Sequence, residues 1–284
     1  MGIQVKNIFY TYQKKATNAT LALDDVSLTI NDNEFVAIVG ETGSGKSTLA
    51  QMFNALLVPD KGDVLAGDYL INYKNRKSRK LKGLRQHVGL VFQFPEYQLF
   101  EETVEKDVAF GVKNFGIKGD EALERAHEAL RQVGLDKSYY KRAPFDLSGG
   151  EKRKVALAGI LAINPDILIF DEPTAGFDPQ SSKDLMNLIC EFHAQGKTII
   201  VITHDMDLVN TYAQRVLLLE GGKLAFDGTP SELFDFIKGY DRLDTPSVIK
   251  VAEKLKEKGM DIDVHSIHNI DDLVNAIKKW RNKA

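Results

Sequence analysis

A glycine-rich loop is the stretch of this chain most able to do chemistry. It follows the apolar, β-branched run Phe35–Val39 and precedes a predicted helix. Its residues are Gly40, Glu41, Thr42, Gly43, Ser44, Gly45, Lys46, Ser47 and Thr48. They fit the pattern G-x-x-x-x-G-K-[ST], in which glycines let backbone N–H groups converge on phosphate oxygens at a helix N-terminus. We expect this loop to bind a nucleotide, with Lys46 on the β- and γ-phosphates and Ser47 on Mg²⁺; the plainer alternative is a glycine turn with a surface lysine.

Two adjacent carboxylates form a second candidate group. Asp171 and Glu172 end the apolar run 167–170. The carboxyl ends of buried strands are where open α/β sheets bind ligands. We expect Asp171 to hold Mg²⁺ through its water shell and Glu172 to polarise an attacking water, although two surface acids at a strand end would look the same in isolation.

A third group, Ser148-Gly149-Gly150, stands at the start of a predicted helix. Small residues and free N–H groups at a helix N-terminus make a phosphate site. Because the chain already has one phosphate loop, this second site makes sense if it serves the γ-phosphate of a nucleotide on another chain.

The alternation of buried runs with helical patterns predicts an α/β fold with a largely parallel central sheet and an antiparallel start. Strands are predicted at 3–12, 21–30, 35–39, 64–65, 69–71, 88–92, 167–172, 198–203, 216–219 and 223–226. Apolar spacing predicts helices after the glycine loop and at 104–112, 121–133, 151–163, 180–195, 205–212 and 246–258, with a last one whose apolar face runs over 270–280.

These elements divide the chain into two predicted parts. Residues 1–240 form an ATPase-sized domain with a helical subdomain at about 100–163, and residues 241–284 form a small helical extension. The extension has two amphipathic helices, the second with Asn269 as its predicted N-cap. Two short helices cannot bury their apolar stripes alone, so they must pack on each other, on the main domain or on another chain.

Composition excludes several classes of protein. The chain has 284 residues, 43% hydrophobic and 27% charged, and a net charge of −3, which argues against a nucleic-acid binder. No apolar run approaches the roughly 20 residues of a membrane span, and no secretory signal is visible at the N-terminus. The lone cysteine, Cys190, cannot form an intrachain disulfide, so a reducing compartment is expected.

A basic run interrupts this balanced composition. It consists of Lys74, Arg76, Lys77, Arg79, Lys80, Lys82 and Arg85. The run is either a solvated surface or a patch that faces anionic lipid or a membrane partner.

In combination these motifs resemble the ATP-binding cassette (ABC) ATPases over roughly residues 3–240. The resemblance implies a RecA-like parallel core with an antiparallel β subdomain and a helical subdomain, and two cassettes that sandwich two ATP molecules head to tail. It implies that Tyr12 stacks on adenine, with Tyr10 as the alternative. It also implies that Gln93 senses metal and water and couples to a membrane partner, that Asp178 lies in a loop crossing the dimer interface, and that His204 contacts the γ-phosphate.

Two positions depart from the family pattern. Glu151 stands where glutamine is more usual, and Phe177 where leucine is. Glu151 would add a carboxylate near the phosphates, so its direct contact with nucleotide is open.

A narrower resemblance is to the ATPase subunits of energy-coupling factor (ECF) transporters, and of their two paralogues to the second. It rests on residues 91–100, 103–111 and 170–176 and on the C-terminal extension. It implies bacterial uptake of vitamins or of nickel or cobalt ions, a transmembrane coupling subunit, an exchangeable substrate-binding membrane subunit, and a second ATPase, more often a paralogue than a second copy. The protein would then lie peripherally on the cytoplasmic face of the membrane and bind no nucleic acid.

We further hypothesise that Glu96, Tyr97 and their neighbours form an acidic and aromatic groove for basic coupling helices. The function predicted is therefore that of an ATP-hydrolysing importer subunit. The alternatives are an ATPase of another ABC transporter class, a soluble ABC ATPase acting on DNA or ribosomes, and a nucleotide-dependent scaffold without turnover.

Overall fold

The strands of the computed structural model, which describes residues 2–14, 17–75, 78, 80–239 and 243–282, form two sheets. In chain order they are β1 Ile3–Tyr12, β2 Thr20–Ile30, β3 Phe35–Val39, β4 Lys61–Ala66, β5 Tyr69–Ile71, β6 Val88–Val91, β7 Ile167–Asp171, β8 Thr198–Ile202, β9 Arg215–Glu220 and β10 Lys223–Gly228. The smaller sheet, ordered β2-β1-β4-β5, is antiparallel. The larger, ordered β10-β9-β3-β8-β7-β6, is parallel except for the hairpin partner β10.

The helices are α1 Lys46–Phe53, α2 Leu81–His87, α3 Val104–Asn114, α4 Asp120–Gln132, α5 Gly149–Leu161, α6 Pro179–Ala194, α7 Met206–Tyr212, α8 Pro230–Phe236, α9 Ser247–Glu257 and α10 Ile270–Arg281. The predicted α/β fold with an antiparallel start is thus confirmed. None of the helices within the described ranges is both long and apolar enough to cross a bilayer.

The central strands position the candidate site. Every residue of β3 and β8 is buried, as expected for strands of a parallel sheet covered on both faces. The strand β3 lies between β9 and β8, and β7 lies beside β8. Because neighbouring parallel strands end at the same edge of the sheet, the residues that follow β3, β7 and β8 meet there.

A helical layer covers one face of the sheet beside β6 and β7. Helices α3, α4 and α5 share one apolar cluster with those strands, to which α4 contributes Ala122, Ala126, Ala129 and Leu130. These are the positions whose spacing predicted the helix. The helix α5 begins at Gly149 rather than at the predicted residue 151, because Ser148 is its N-cap.

The buried carboxylate Glu105 ties this layer to the segment that precedes α5. Its side chain is 6% exposed and accepts hydrogen bonds from Lys141 Nζ and from His127 Nε2, the latter at 2.9 Å. Backbone bonds from Val104 N to Arg142 O (3.0 Å) and from Glu105 N to Tyr140 O (3.1 Å) join the same two segments. Burial alone would raise the pKa of Glu105, but the two hydrogen bonds and their charges outweigh it and lower the pKa.

Replacing Glu105 with glutamine is expected to lower the free energy of unfolding by about 1–3 kcal/mol at neutral pH, because a buried charged acceptor is lost. Because the pKa of Glu105 in the folded chain is below its ordinary value, the ionised carboxylate stabilises the fold at pH values above the ordinary carboxyl pKa. That stabilisation is lost as the pH falls through the native pKa, so the difference in free energy of unfolding between wild type and Glu105→Gln should shrink in acid. Denaturant unfolding at several pH values measures this. The exposed pair Lys106–Glu102 is the control, because Glu102→Gln should leave the midpoint unchanged; equal losses in both variants, or a loss that persists in acid, would contradict the assignment.

Two helices were absent from the sequence prediction. The first, α2, falls within the basic run and has few apolar residues, of which Leu81 and Leu84 are buried. The second, α8, has Pro230 at its start and a capping box between Thr229 and Glu232, a signal that the sequence does contain.

The basic run is described only in part, because Arg76, Lys77 and Arg79 lie outside the described residues. Of the others, Arg85 donates to Ala55 O at 3.1 Å and Lys82 lies over the ring of Phe115. These two side chains have structural contacts within the chain. The hypothesis of a lipid-facing patch stays a prediction.

The C-terminal extension packs on itself and on the main domain. Helices α9 and α10 bury Ile249, Ala252 and Leu273 in a cluster of their own. Asn210 Nδ2 in α7 donates to the carbonyls of Ile267 (3.0 Å) and His268 (2.9 Å). The predicted N-cap Asn269 is confirmed, since it accepts from Asp272 N at 3.0 Å. Two of the three packing alternatives therefore occur together.

Candidate nucleotide-binding and hydrolysis site

The glycine loop has the backbone that its sequence requires. Gly40, Gly43 and Gly45 have φ values of 142°, 84° and 103°. A Cβ on Gly40 would lie 2.2 Å from Leu219 O, and one on Gly45 would lie 2.5 Å from Ala22 O, so side chains are excluded by contact as well as by conformation. The loop is thereby held against β2 and β9 in one shape.

Lys46 is the first residue of α1 and folds back into the loop. Its Nζ donates to Gly40 O (2.8 Å) and Glu41 O (2.7 Å), which are two neutral acceptors. Burial lowers the pKa of Lys46, and the nearby charges of Glu172 and Asp171 act against that shift. At these two contacts the half-buried ammonium meets only neutral carbonyl oxygens, so phosphate oxygens would complement its charge.

Asp171 lies beside the same loop. The Ser47 side chain lies beside its carboxylate. Burial raises the pKa of Asp171, and the neighbouring Glu172 raises it further, against the opposing effects of the Ser47 hydroxyl and the charge of Lys46. A hydroxyl and a carboxylate placed side by side are oxygen donors suited to Mg²⁺, so the donor set fits the ion.

Glu172 and His204 are brought together at the ends of β7 and β8. Glu172 has a φ of 49°, an uncommon value for a residue with a side chain, and its N–H donates to Ile202 O at 2.9 Å. His204 Nδ1 lies 2.8 Å from Glu172 Oε1. Since an ionised carboxylate only accepts, the ring nitrogen is the donor. Left-handed backbone at a residue other than glycine is strained, and such strain is concentrated at functional sites.

Of the two candidate tyrosines, Tyr12 contacts the loop residues. Its hydroxyl lies 3.1 Å from Thr48 Oγ1, and its ring is edge-on to Tyr10 at 4.9 Å. Tyr10 is half-buried and packs against the apolar cluster of the sheet. The more exposed ring next to α1 is therefore that of Tyr12.

The Ser148 segment begins α5 with a capping box. Ser148 N and Oγ donate to Glu151 Oε2 at 2.8 and 2.7 Å, and Tyr139 Oη donates to Glu151 Oε1 at 2.9 Å. Glu151 thus accepts hydrogen bonds at both oxygens from its own chain. A Cβ added at Gly149 or Gly150 would meet no atom within 4 Å, so this helix start has room for close approach.

The structure brings some predicted residues together and leaves others apart. Ser47 with Asp171, and Glu172 with His204, form one set around Lys46. Within the described ranges, the side-chain hydrogen bonds of Ser148 and Asp178 go to their own helices, with Asp178 accepting from Gln180 N and Ser181 N as the N-cap of α6. Gln93, two residues after the end of β6, is exposed.

The groove hypothesis needs correction. Arg153 Nε and Nη2 donate to the two carboxylate oxygens of Glu96, both at 3.0 Å, and the Glu96 side chain is 15% exposed. The acid predicted to receive basic helices is therefore neutralised within the chain. What remains exposed beside it is aromatic, above all Tyr97, which is 85% exposed. Sequence reasoning missed Arg153, since nothing in its local pattern marks a partner 57 residues away.

The chain is similar in sequence and in fold to known proteins. Residues 23–175 match the family described as ABC transporter. The chain belongs to the ABC transporter family. The relatives of this ABC ATPase include the energy-coupling factor transporter ATP-binding protein EcfA2 of Streptococcus agalactiae, 47% identical over 280 residues that cover 98% of this chain and 99% of the relative. The protein of the same name from Streptococcus thermophilus is 48% identical over 262 residues, 91% of this chain and 93% of the relative.

Solved structures are similar as well. CbiO1 of Clostridium perfringens, described as part of the ABC transporter complex cbiONQ, superimposes with a TM-score of 0.73 at 36% identity, covering 90% of this chain and 96% of that one. The ATP-binding cassette MJ0796, in a dimeric post-hydrolysis state bound to ADP and Pi, gives a TM-score of 0.71 at 30% identity, covering 80% and 98%. The ABC and ECF resemblances are confirmed: this ABC ATPase is an ATP-binding subunit of the ECF type, whose ATP hydrolysis is coupled to transport.

Proposed function

We propose that this chain pairs with a second ATPase chain, a paralogue rather than a second copy, and that each completes the other's ATP site to drive uptake of vitamins or transition-metal ions. The observation that supports this most is the set formed by Lys46, the adjacent Ser47 and Asp171 side chains and the Glu172–His204 contact. It contains what phosphate binding and water activation need. Ser148, whose hydrogen bonds stay within its own helix, would serve the nucleotide of the other chain.

In this proposal each residue has one task. The loop N–H groups and Lys46 bind and orient the phosphates. Ser47, Asp171 and Gln93 would hold Mg²⁺, which when bound supplies charge neutralisation at the phosphate oxygens. Glu172 holds a water for attack and accepts its proton, while His204 keeps that carboxylate oriented and faces the γ-phosphate.

Closure of the dimer follows from where ATP makes contact. ATP can drive closure only if it interacts with both chains in the closed state and with one in the open state. The uncrowded start of α5 at Gly149 and Gly150 is suited to that second contact. Asp178 at the start of α6 would lie in the interface segment, and Tyr12 would stack on adenine.

The membrane partner would bind beside Gln93. Four aromatic side chains that follow it in the chain lie exposed, and together we name them the coupling surface: Phe94, Tyr97, Phe100 and Phe110. Phe94 and Tyr97 are 6.3 Å apart, and Phe100 meets Phe110 edge-on at 4.8 Å. Exposed aromatic clusters mark interaction sites, so we assign this surface to the transmembrane coupling subunit, with an exchangeable substrate-binding subunit beyond it. The chain would then be peripheral, on the cytoplasmic face of the membrane.

The two-part division belongs to the same proposal. Residues 1–240 would be the ATPase domain, with its helical subdomain at about 100–163. Residues 241–284 would be a dimerisation or regulatory element.

The Ser148 assignment can be tested by ATP retention. Assemblies captured from solubilised membranes through a tag on this chain, carrying Glu172→Gln, should retain ATP after gel filtration. Adding Ser148→Arg should reduce the retained ATP at least about tenfold, because a bulky cation at the start of α5 blocks closure over the second nucleotide. Thr229→Arg is the matched control, because it removes the cap of a similar capping box in α8. Retention that survives Ser148→Arg, or that falls equally with Thr229→Arg, would reject the composite site.

A further inference from the structure

The guanidinium of Arg153 joins three separate segments of the chain. The side chain is 11% exposed and projects from α5, the helix that Ser148 caps. Its Nε and Nη2 donate to Glu96 at 3.0 Å each, and its Nη1 donates to Ala175 O at 2.8 Å. All three nitrogens are therefore used, two on the segment after Gln93 and one on the segment after Glu172.

Two aromatic rings also lie against the group. The ring of Phe177 lies 4.3 Å from the guanidinium carbon, and the ring of Phe94 lies 5.5 Å from it. Phe177 is the residue that departs from the leucine usual in the family. A planar, forked cation is needed for this combination of bidentate pairing and stacking, which a lysine ammonium cannot reproduce.

The contacts of Arg153 lie close to the reacting groups in the chain. Ala175 N donates to Glu172 O at 3.2 Å, and Phe177 N donates to Thr174 O at 3.1 Å, so residues 172–177 form successive tight turns. A shift of the Ala175 carbonyl therefore moves Glu172 at one end and Asp178 at the other. On the opposite side, Glu96 is next to Tyr97 of the coupling surface.

Arg153 keeps the carboxyl group of Glu96 ionised. Burial would raise the pKa of Glu96, yet the hydrogen bonds and charge of Arg153 lower it. The carboxylate thus stays ionised against Arg153 through the neutral range, and breaking the pair would leave a buried charge without its partner, which is costly.

We propose that Arg153 is a positioning residue that fixes the loop 172–178 against α5 and transmits displacement of the coupling surface to Glu172 and to the Ser148 helix. This rests on the proposed roles of Glu172 and Ser148. It assigns to one side chain the mechanical connection between the membrane-facing segment and both halves of the nucleotide site. The Lys46 loop is not part of that connection, so ATP binding should be spared.

The test is ATP hydrolysis by assemblies captured through a tag on this chain, with Arg153→Gln, Arg153→Lys and Glu96→Gln. For Arg153→Gln we expect kcat to fall about tenfold or more, because small misplacements of reacting groups are costly, while KM changes less than about twofold. Arg153→Lys should remain impaired because it lacks the fork. Glu96→Gln should lose less, because Arg153 retains Ala175 and Phe177.

A purely structural role would reduce the number of working sites instead of the turnover of each. Sites are therefore counted by equilibrium dialysis with ATP in the Glu172→Gln background, which measures binding at the Lys46 loop, and kcat is expressed per site. Arg125→Gln, which breaks an exposed arginine–glutamate pair in α4, is the matched control. A per-site kcat within twofold of wild type in Arg153→Gln, or full rescue by Arg153→Lys, would overturn the proposal. If Glu172→Gln itself retained turnover, the assigned site would fail instead, so the two failures are distinguishable.

Discussion

Replacing Glu172 with glutamine is expected to slow ATP hydrolysis by about 10²- to 10⁴-fold, the range over which a positioned general base acts. The amide keeps the size of the side chain but cannot accept a proton from water. The Glu172 backbone N–H to Ile202 O bond, which sets the left-handed turn, does not involve the side chain and should persist. ATP binding should persist too, since Lys46 and Ser47 are untouched.

The measurement is single-turnover hydrolysis beside ATP binding by equilibrium dialysis, on the same preparation. Glu105→Gln is the matched control, because it also breaks a glutamate–histidine contact, that with His127 in the helical layer. It should alter stability while per-molecule turnover stays near wild type. Hydrolysis by Glu172→Gln within tenfold of wild type would show that another group activates the water. His204 would be the first to examine, since its Nδ1 contacts the same carboxylate.

The sequence predicts those parts of the site that short, contiguous motifs mark. The glycine loop and the Asp171–Glu172 pair lie in short segments whose strand context fixes where they point, so their position at one edge of the sheet could be inferred. The turn at Glu172 could not, because glutamate has no preference for positive φ. Helix α2 was not predicted because its apolar face consists of only two residues, Leu81 and Leu84, among charged and polar ones.

Pairs of side chains that are distant in the sequence could not be predicted from local patterns. Glu96 is predicted to lie in a groove for basic helices, but its carboxylate pairs with Arg153, 57 residues further along the chain. For Glu151 the sequence leaves the contact with nucleotide open, and in the structure its two oxygens accept hydrogen bonds from Ser148 and Tyr139. Both carboxylates thus have hydrogen-bond partners within the chain.

Removing the Lys46 ammonium should have the second large effect. In Lys46→Ala we expect ATP affinity to fall by about 30- to 5,000-fold, which corresponds to the ~2–5 kcal/mol that truncation of one member of a charge pair costs in binding. The Lys46 ammonium donates to two neutral carbonyl oxygens, Gly40 O and Glu41 O. Phosphate oxygens offer it a charged acceptor, so the gain on binding is large and is lost with the side chain.

Lys197 provides a close control for Lys46. It too has a pKa lowered by burial, and its Nζ donates to Asn164 Oδ1 (2.8 Å) and Pro165 O (2.6 Å) at the start of β8, the opposite end of the sheet from the glycine loop. Lys197→Ala therefore removes an equivalent half-buried ammonium and should leave the ATP dissociation constant unchanged. Isothermal titration of both variants with ATP makes the comparison. A similar loss in both would mean that general destabilisation, rather than charge at the phosphates, weakens binding. A Lys46→Ala chain that binds ATP like wild type would remove the basis for the site, because no other residue of the loop contributes a positive charge.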